Sequence, residues 1–101
     1  MTDGERLIML KHNLQMMTDA NDTYLLHLLA AGENAAQVEG LRDDGSIDYD
    51  NIVIDYAAYL FRSRAADPSG GKTGSTAMPR FLRWQINNLL FKQKIQAGLN
   101  R

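Results

Sequence analysis

The chain has 101 residues and a formal net charge of −1, which is enough material for one small domain with a single hydrophobic core. It contains no cysteine, so disulfides, thiolate metal sites and a cysteine nucleophile are excluded. The sequence begins with acidic residues where a secretory signal would be basic, and no apolar run reaches the roughly 18 residues of a membrane span. We therefore expect one domain over residues 1–101 that stays in the cytoplasm or is carried in something assembled there, with no membrane partner.

The first predicted helix has a capped start and an apolar stripe along one side. Thr2 with Glu5 three residues later has the form of a capping box, so the helix begins at Thr2 or Asp3. Apolar residues recur at steps of three and four to about Met17, where we expect the helix to end. The stripe consists of Leu7, Leu10, Leu14 and Met17.

The second predicted helix follows a turn rich in Asp, Asn and Thr, and either Asn21 or Asp22 can be its N-cap. We expect it to end near Gly40, and we expect Gly32 to weaken its middle because glycine is a poor helix former. Its predicted apolar face consists of Tyr24, Leu25, Leu28, Leu29, Ala31, Ala35 and Val38.

The third predicted helix is apolar on most sides and is expected to be the central one. A polar turn precedes it, Asp48 or Asp50 can cap it, and it runs to about Arg64. Only a narrow polar strip interrupts its apolar surface, as expected of a helix that its neighbours cover. The strip consists of Asn51, Asp55 and Arg62.

The stretch between Ala66 and Met78 is rich in Gly, Ser and Thr and has almost nothing to bury, so we predict a long flexible loop. Pro79 suits the first turn of a fourth helix, which continues to about Ala97 and ends at Gly98. The sequence therefore predicts a small all-α, four-helix domain with a flexible loop between helices 3 and 4. The loop includes Asp67, Gly70, Gly71, Lys72 and Gly74.

Residues 66–73 match a relaxed form of the phosphate-binding loop pattern. That motif needs a buried strand before the loop and a helix that starts at its Lys-Ser/Thr, so that backbone N–H groups face the phosphates. Here a helix is predicted before the loop, and the next helix starts only at Pro79. We therefore expect Lys72 to have no role in nucleotide binding.

The rest of the chain offers no catalytic constellation. His12 and His27 have no histidine or carboxylate three or four positions away that could share a metal, so both are interpreted as structural or surface residues. Asp43 and Asp44 lie in a predicted turn, where they suit solvation or capping better than acid-base chemistry. We expect a binding or assembly module that is not an enzyme and has no cofactor.

Charge is unevenly distributed along the chain. Residues up to Phe61 include eleven acidic and three basic side chains, a net charge of −8, whereas residues from Arg62 onward include eight basic and one acidic, a net charge of +7. These charges can meet inside one folded monomer, or copies of the chain can pair head to tail. The sequence leaves both alternatives open.

The fourth predicted helix has apolar residues on two opposite sides. One side contains Leu82, Ile86, Leu89 and Leu90 and suits the core of the monomer. The other side is either sandwiched within the monomer or binds a partner, and we favour a partner because Trp, Phe and Arg are enriched at interfaces. This second side and the basic strip beside it comprise Arg80, Arg83, Trp84, Phe91, Lys94 and Ile95.

The order of these features resembles the small head-tail connector, or head-completion, proteins of tailed bacteriophages. The resemblance extends over most of the chain and is strongest from the third helix to the Pro-led last helix. It is carried by the leucine-striped first helix, by the turn Asp19-Asn21-Asp22, by the third-helix segment 55–60 with Arg62, and by Met78-Pro79 with Leu82.

The resemblance implies a helical subunit of a homo-oligomeric, dodecameric ring beneath the portal protein. Such a ring extends the DNA channel and joins the capsid to a stopper or tail-completion protein, and viral DNA passes through it without sequence reading. In this family the carboxy-terminal helix or tail commonly engages the portal. The implied location is the head-tail interface of the virion, after assembly in the host cytoplasm.

A small helical DNA-binding regulator is the alternative, because an Arg-rich last helix could rest on a phosphate backbone. The acidic first half of the chain argues against it. The exposed candidate face also offers Trp84, Phe91 and Ile95 where a recognition helix would present polar, base-reading side chains.

Overall fold

The computed structural model of the chain describes residues 1–66 and 78–99, and these ranges form four α-helices without any strand. The predicted all-α, four-helix fold is therefore confirmed. The predicted loop, with Asp67, Gly70, Gly71, Lys72 and Gly74, lies outside the described residues. The helices are α1 (Asp3–Leu14), α2 (Asp22–Val38), α3 (Ile47–Ala66) and α4 (Arg80–Leu99).

Helix α3 is the centre of the domain, as its sequence predicts, and it contacts each of the other three helices. One continuous core forms around it, and burial of this apolar surface is the main source of stability. The buried apolar residues are Leu10, Leu25, Leu28, Leu29, Ala36, Leu41, Tyr49, Ile52, Val53, Ile54, Ala57, Ala58, Leu82, Ile86 and Leu89.

The predicted capping box starts α1. The backbone N–H of Glu5 donates to Thr2 Oγ1 (3.1 Å), and the backbone N–H of Thr2 donates to Glu5 Oε1 (2.8 Å). The hydrogen bond from the Thr2 backbone lowers the pKa of the Glu5 carboxyl, because it stabilises the charged form. This signal was readable because both partners are local in sequence.

Helix α1 ends at Leu14 and not at Met17, so the predicted end was wrong. Gln15 adopts a left-handed conformation (φ 59°), and the backbone N–H of Met16 donates to the carbonyl of Lys11 (2.9 Å), which closes a Schellman motif. Met17 is consequently 94% exposed and takes no part in the apolar stripe. The end was missed because glycine usually occupies the position of Gln15.

Helix α2 ends with the same motif, this time with the expected glycine. Gly40 has φ 105°, and the backbone N–H of Leu41 donates to the carbonyl of Ala36 (3.1 Å). Two residues of the predicted apolar face of α2 are exposed, Val38 at 76% and Tyr24 at 37%. They lie at the two ends of the helix, and Tyr24 still contacts α3 there through the ring of Phe61, 6.2 Å away between centroids, and the guanidinium group of Arg64.

The predicted N-cap position of α2 is confirmed at Asn21, whereas the predicted cap of α3 needs correction. Asn21 occupies the N-cap position of α2, but its side chain makes no capping hydrogen bond. At α3 the cap is Ser46, whose Oγ accepts from the backbone N–H of Tyr49 (3.1 Å), and not Asp48 or Asp50. Several capping residue types lie close together here, and side-chain type alone does not choose among them.

A buried ion pair joins α1 to α3. Arg6 and Asp50 are 4% and 3% exposed, and two guanidinium nitrogens of Arg6 donate to Asp50 Oδ1 at 2.9 and 2.8 Å. Burial alone would lower the pKa of Arg6, but the hydrogen bond and charge of Asp50, with the charges of Glu33 and Asp43, raise it further than burial lowers it. Arg6 therefore stays charged although it is buried.

Gly32 lies where α2 and α3 approach each other closely. A Cβ atom built at this position would lie 2.9 Å from the backbone carbonyl oxygen of Val53. The expectation that Gly32 only weakens α2 is therefore incomplete, because its missing side chain lets the backbone of α3 pack against α2.

We expect Asp50→Asn to destabilise the fold by about 3–5 kcal/mol, because it leaves the charge of Arg6 buried without a full partner. Asp48→Asn is the matched control in the same helical turn. Asp48 is exposed and pairs with exposed Lys92 (3.0 Å), so its loss should cost at most about 1 kcal/mol. Urea unfolding of both variants tests this, and equal losses would contradict the assignment of Arg6 and Asp50 as a buried pair.

We expect Gly32→Ala to destabilise the fold by roughly 1–3 kcal/mol, because the added methyl group forces α2 and α3 apart. Gly4→Ala is the control, since its Cβ would meet nothing closer than Thr2 Oγ1 at 3.9 Å. That variant should gain up to about 1 kcal/mol from helix propensity. Thermal unfolding measures both, and a stabilised Gly32→Ala variant would show that the helix contact is not tight.

Candidate interaction surface on the fourth helix

Helix α4 begins directly after Pro79, whose carbonyl accepts from the backbone N–H of Arg83 (3.0 Å). The predicted start is confirmed. The helix continues through Gly98 to Leu99, slightly beyond the predicted end. At 1.5 Å per residue, its 20 residues give a rod of about 30 Å.

The inner side of α4 packs against α3 as predicted. Leu82 and Ile86 are fully buried, Leu89 is 4% exposed, and Leu90 packs partly buried at the edge of the core. The same stripe continues to Gln93, which is only 6% exposed. A polar residue thus occupies a core position of α4.

Gln93 fixes α4 to the loop between α2 and α3. Its Oε1 accepts from the backbone N–H of Arg42 (2.9 Å), and its Nε2 donates to the carbonyl of Arg42 (2.7 Å) and to Asp44 Oδ2 (3.1 Å). Gln93 was not predicted as a core residue because its side chain is polar and interrupts the apolar stripe of α4. The spacing of Gln93, four residues after Leu89, was the available signal.

The outer side of α4 is exposed. Phe81, Trp84, Phe91 and Ile95 are 54%, 68%, 66% and 45% exposed, so the described residues do not sandwich this side within the monomer. We call these four residues and Asn88, which lies among them, the outward stripe. An apolar stripe of this kind on a soluble domain is typical of an interaction site.

Two basic residues of α4 form ion pairs with the rest of the domain. Arg83 contacts Glu39 through two nitrogen-oxygen pairs at 2.7 and 3.3 Å, and the hydrogen bond from Arg83 lowers the pKa of Glu39. Lys92 contacts Asp48 at 3.0 Å. Opposite charges from the two halves of the chain therefore do meet inside the monomer at these positions.

Arg80 and Lys94 differ from these two residues. Both are exposed, and neither lies within 4 Å of a carboxylate in residues 1–66 and 78–99. Arg80 and Lys94 thus share the solvent-facing side of α4 with the outward stripe. Of the predicted interface residues on α4, Arg83 is the one that forms an ion pair with another described residue; its predicted partner contact stays a prediction.

An open cleft with a volume of about 310 Å³ separates the outward stripe from α3. Ile52 and Leu89 line its depth, and Trp84 and Phe91 form part of its rim. The rim is completed by amide and charged side chains, namely Asn51, Gln85, Asn88, Asp48 and Lys92. The cleft is thus lined by both aromatic and hydrogen-bonding side chains. The sequence of α4 could not indicate which residues of α3 line it.

The structure also locates the residues considered for chemistry. His12 and His27 are exposed, and within residues 1–66 and 78–99 no group of three His, Asp or Glu side chains is placed to hold a metal ion. In the same part of the chain, no helix has the length and hydropathy of a membrane span.

Comparisons with protein-family models, curated proteins and solved structures found no match.

We expect the double variant Trp84→Ala/Phe91→Ala to fold with nearly wild-type stability, within about 1 kcal/mol, because both side chains are mostly exposed. Leu89→Ala, on the inner side of the same helix, should cost about 2–5 kcal/mol. Thermal unfolding of the two purified variants compares them. If the double variant unfolds as readily as Leu89→Ala, the aromatic residues belong to the core and the outward stripe is not a free surface.

Proposed function

We propose that the protein is a head-tail connector, or head-completion, subunit of a tailed bacteriophage. In this proposal copies of the chain form a ring, dodecameric as in the resemblance, beneath the portal protein and carry the DNA channel to a stopper or tail-completion protein. The subunit acts mechanically, not as an enzyme, and its place is the head-tail interface of the virion. The outward stripe of α4 is the surface that joins it to the portal.

The exposed outward stripe is the observation that carries the proposal. The inner side of α4 already completes the core, so folding does not require the aromatic residues on the other side. Large aromatic side chains are the usual anchors of protein interfaces, where a few of them supply most of the binding energy. A domain that keeps three of them exposed on one helix is built to associate.

The way α4 is held supports a mechanical role. Gln93 binds the loop before α3, Arg83 binds Glu39 at the C-cap of α2, and Lys92 binds Asp48 on α3. Gln85 Nε2 also donates to Asp55 Oδ2 of α3 (3.3 Å), so the helix that presents the stripe is tied by its core face and at four polar points among the described residues. A surface held this way keeps its geometry when the subunit is loaded, and pre-organisation lowers the entropic cost of association.

The DNA-binding alternative is less well supported by the same contacts. Glu39 neutralises Arg83 and Asp48 neutralises Lys92, so fewer positive charges of α4 remain available to phosphates. The exposed side is mainly aromatic and aliphatic, whereas base reading needs polar side chains. In the proposed ring, viral DNA passes without sequence-specific contacts.

The test is co-purification with the portal protein encoded near this gene, followed by electron microscopy of the complex. We expect rings of the chain on the portal. The variant Trp84→Ala/Phe91→Ala should lose at least roughly 700-fold in affinity, since each of the two anchors contributes about 2 kcal/mol or more, about 4 kcal/mol together.

Leu26→Ala/Val38→Ala is the matched control, because it removes two exposed apolar side chains from α2. It should bind the portal as the wild type does. A portal that never binds the chain, or equal losses in both double variants, would overturn the proposal. The proposal would also be overturned if the gene lay away from the head genes and the chain retarded duplex DNA in a sequence-specific manner.

A further inference from the structure

The exposed side of α4 has the spacing of a helix-pairing seam. Residues 81, 84, 88, 91, 95 and 98 follow one another at alternating steps of three and four and lie on one side of the helix. They are Phe81, Trp84, Asn88, Phe91, Ile95 and Gly98. A repeat with a mean of 3.5 residues keeps one stripe facing a second helix along its whole length, so the outward stripe has the periodicity that a partner helix requires.

The cleft beside the seam gives such a helix somewhere to insert a side chain. Trp84, Asn88 and Phe91 bound it on α4, and Asn51 of α3 bounds it on the other side. Helix pairs of this type pack a side chain from one helix into a hole formed by residues of the other. The side-chain oxygen of Gln85, which also lines the cleft, is a buried acceptor without a hydrogen-bond partner among the described residues.

Asn88 is the polar residue at the centre of the seam. In paired helices a single amide within an apolar seam fixes register and partner choice, because a mismatched neighbour leaves it without a hydrogen bond. A partner is therefore expected to place a polar side chain opposite Asn88 and apolar side chains opposite Trp84 and Phe91.

Charge on the flank of the seam indicates the sign of the partner. Arg80 and Lys94 lie two heptads apart on the same edge, and both lack a carboxylate partner among the described residues. The other edge carries the neutralised pair of Lys92 and Asp48. Opposite charge at these flanking positions sets the choice of partner in paired helices.

A second copy of α4 does not meet these conditions. In a parallel pair, Arg80 would face Gln85 and Lys94 would face Leu99, so neither cation would gain a carboxylate. In an antiparallel pair centred on Asn88, Arg80 would lie near Lys94 of the second copy, and like charges would repel. Complementary charge thus favours a different helix.

We propose that the seam of α4 binds an acidic amphipathic helix of a partner protein, with apolar residues along its contact side and carboxylates facing Arg80 and Lys94. The inference rests on the proposed role of the outward stripe as the assembly surface and does not require that the assembly be a phage head. It specifies the secondary structure and the charge of the element that binds there.

Trp84 supplies the measurement, because it is the only tryptophan in the chain and it stands in the seam. The probe is a library of helical peptides of about 24 residues, roughly 36 Å long. In these peptides the identity of the apolar residues varies along one side of the helix, and one central position on that side is either polar or apolar. The positions that flank this side are Glu, Gln or Lys. Binders selected against the full chain are titrated while the emission of Trp84 is followed.

We expect the selection to return Glu-flanked helices with a polar central residue, which shift the Trp84 emission to shorter wavelength as water leaves the indole. The same helices with Lys flanks should bind at least tenfold more weakly, and the difference should shrink at about 1 M salt, where charges are screened within about 3 Å. The charge-reversed variant Arg80→Glu/Lys94→Glu should invert the preference. Arg62→Glu, on α3, is the control variant and should leave it unchanged.

Several outcomes would overturn the inference. They are a selection without any binder that shifts the Trp84 emission, a preference for Lys-flanked helices, equal binding of proline-interrupted peptides, and self-association of the chain that Trp84→Ala abolishes. The proposed function fails separately. Helix binding without portal binding refutes only the connector role, and portal binding through Trp84 without a preference for acidic helices refutes only this inference.

Discussion

The buried charge of Arg6 is the constraint around which the structure is organised. Its guanidinium group donates to Asp50 in the first turns of α3 and reaches Asp43 Oδ2 at 3.5 Å in the loop between α2 and α3. That loop in turn holds Gln93 of α4 through the backbone of Arg42. One cation therefore orders the elements to which α4 is attached. Because a buried charge tolerates few arrangements, this network selects one packing among those that apolar burial alone would allow.

The uneven charge distribution of the chain follows from this architecture in part. Carboxylates of the first half meet Arg83 and Lys92 of α4, so much of the asymmetry is internal attraction between elements distant in sequence. Among the described residues, Arg80 and Lys94 on one edge of α4 are the cations of this helix that have no carboxylate partner. Internal pairing and association with another molecule are thus not exclusive explanations, because Arg80 and Lys94 stay available when Arg83 and Lys92 are paired internally.

Several features of the fold could be predicted because their signals are local. The capping box at Thr2, the central position of α3 and the start of α4 after Pro79 each depend on residues within a few turns of one another. The two opposite stripes of α4 were also visible from spacing. The outer stripe is exposed because few helices surround α4, and the spacing of apolar residues does not give the number of neighbouring helices.

The features that were missed depend on distant contacts or on an unusual residue at a familiar position. Asp50 could have capped α3, but its partner is Arg6, 44 positions away. Gln93 occupies a core position because the carbonyl and N–H of Arg42 happen to lie opposite it. Gln15 ends α1 in a conformation that normally calls for glycine, so the usual stop signal was absent.

The loop between α2 and α3 is held by side-chain hydrogen bonds although it has no regular structure. The backbone N–H of Arg42 is bound by Gln93, that of Gly45 by Asp43, and that of Ser46 by Asp44. The hydrogen bond of Arg42 is partly buried and those of Gly45 and Ser46 are exposed, so the Arg42 amide should exchange with solvent more slowly than the other two. Homologous chains would accommodate insertions poorly in this loop. Each added residue would move a backbone N–H away from the carboxylate or carboxamide oxygen that accepts its hydrogen bond.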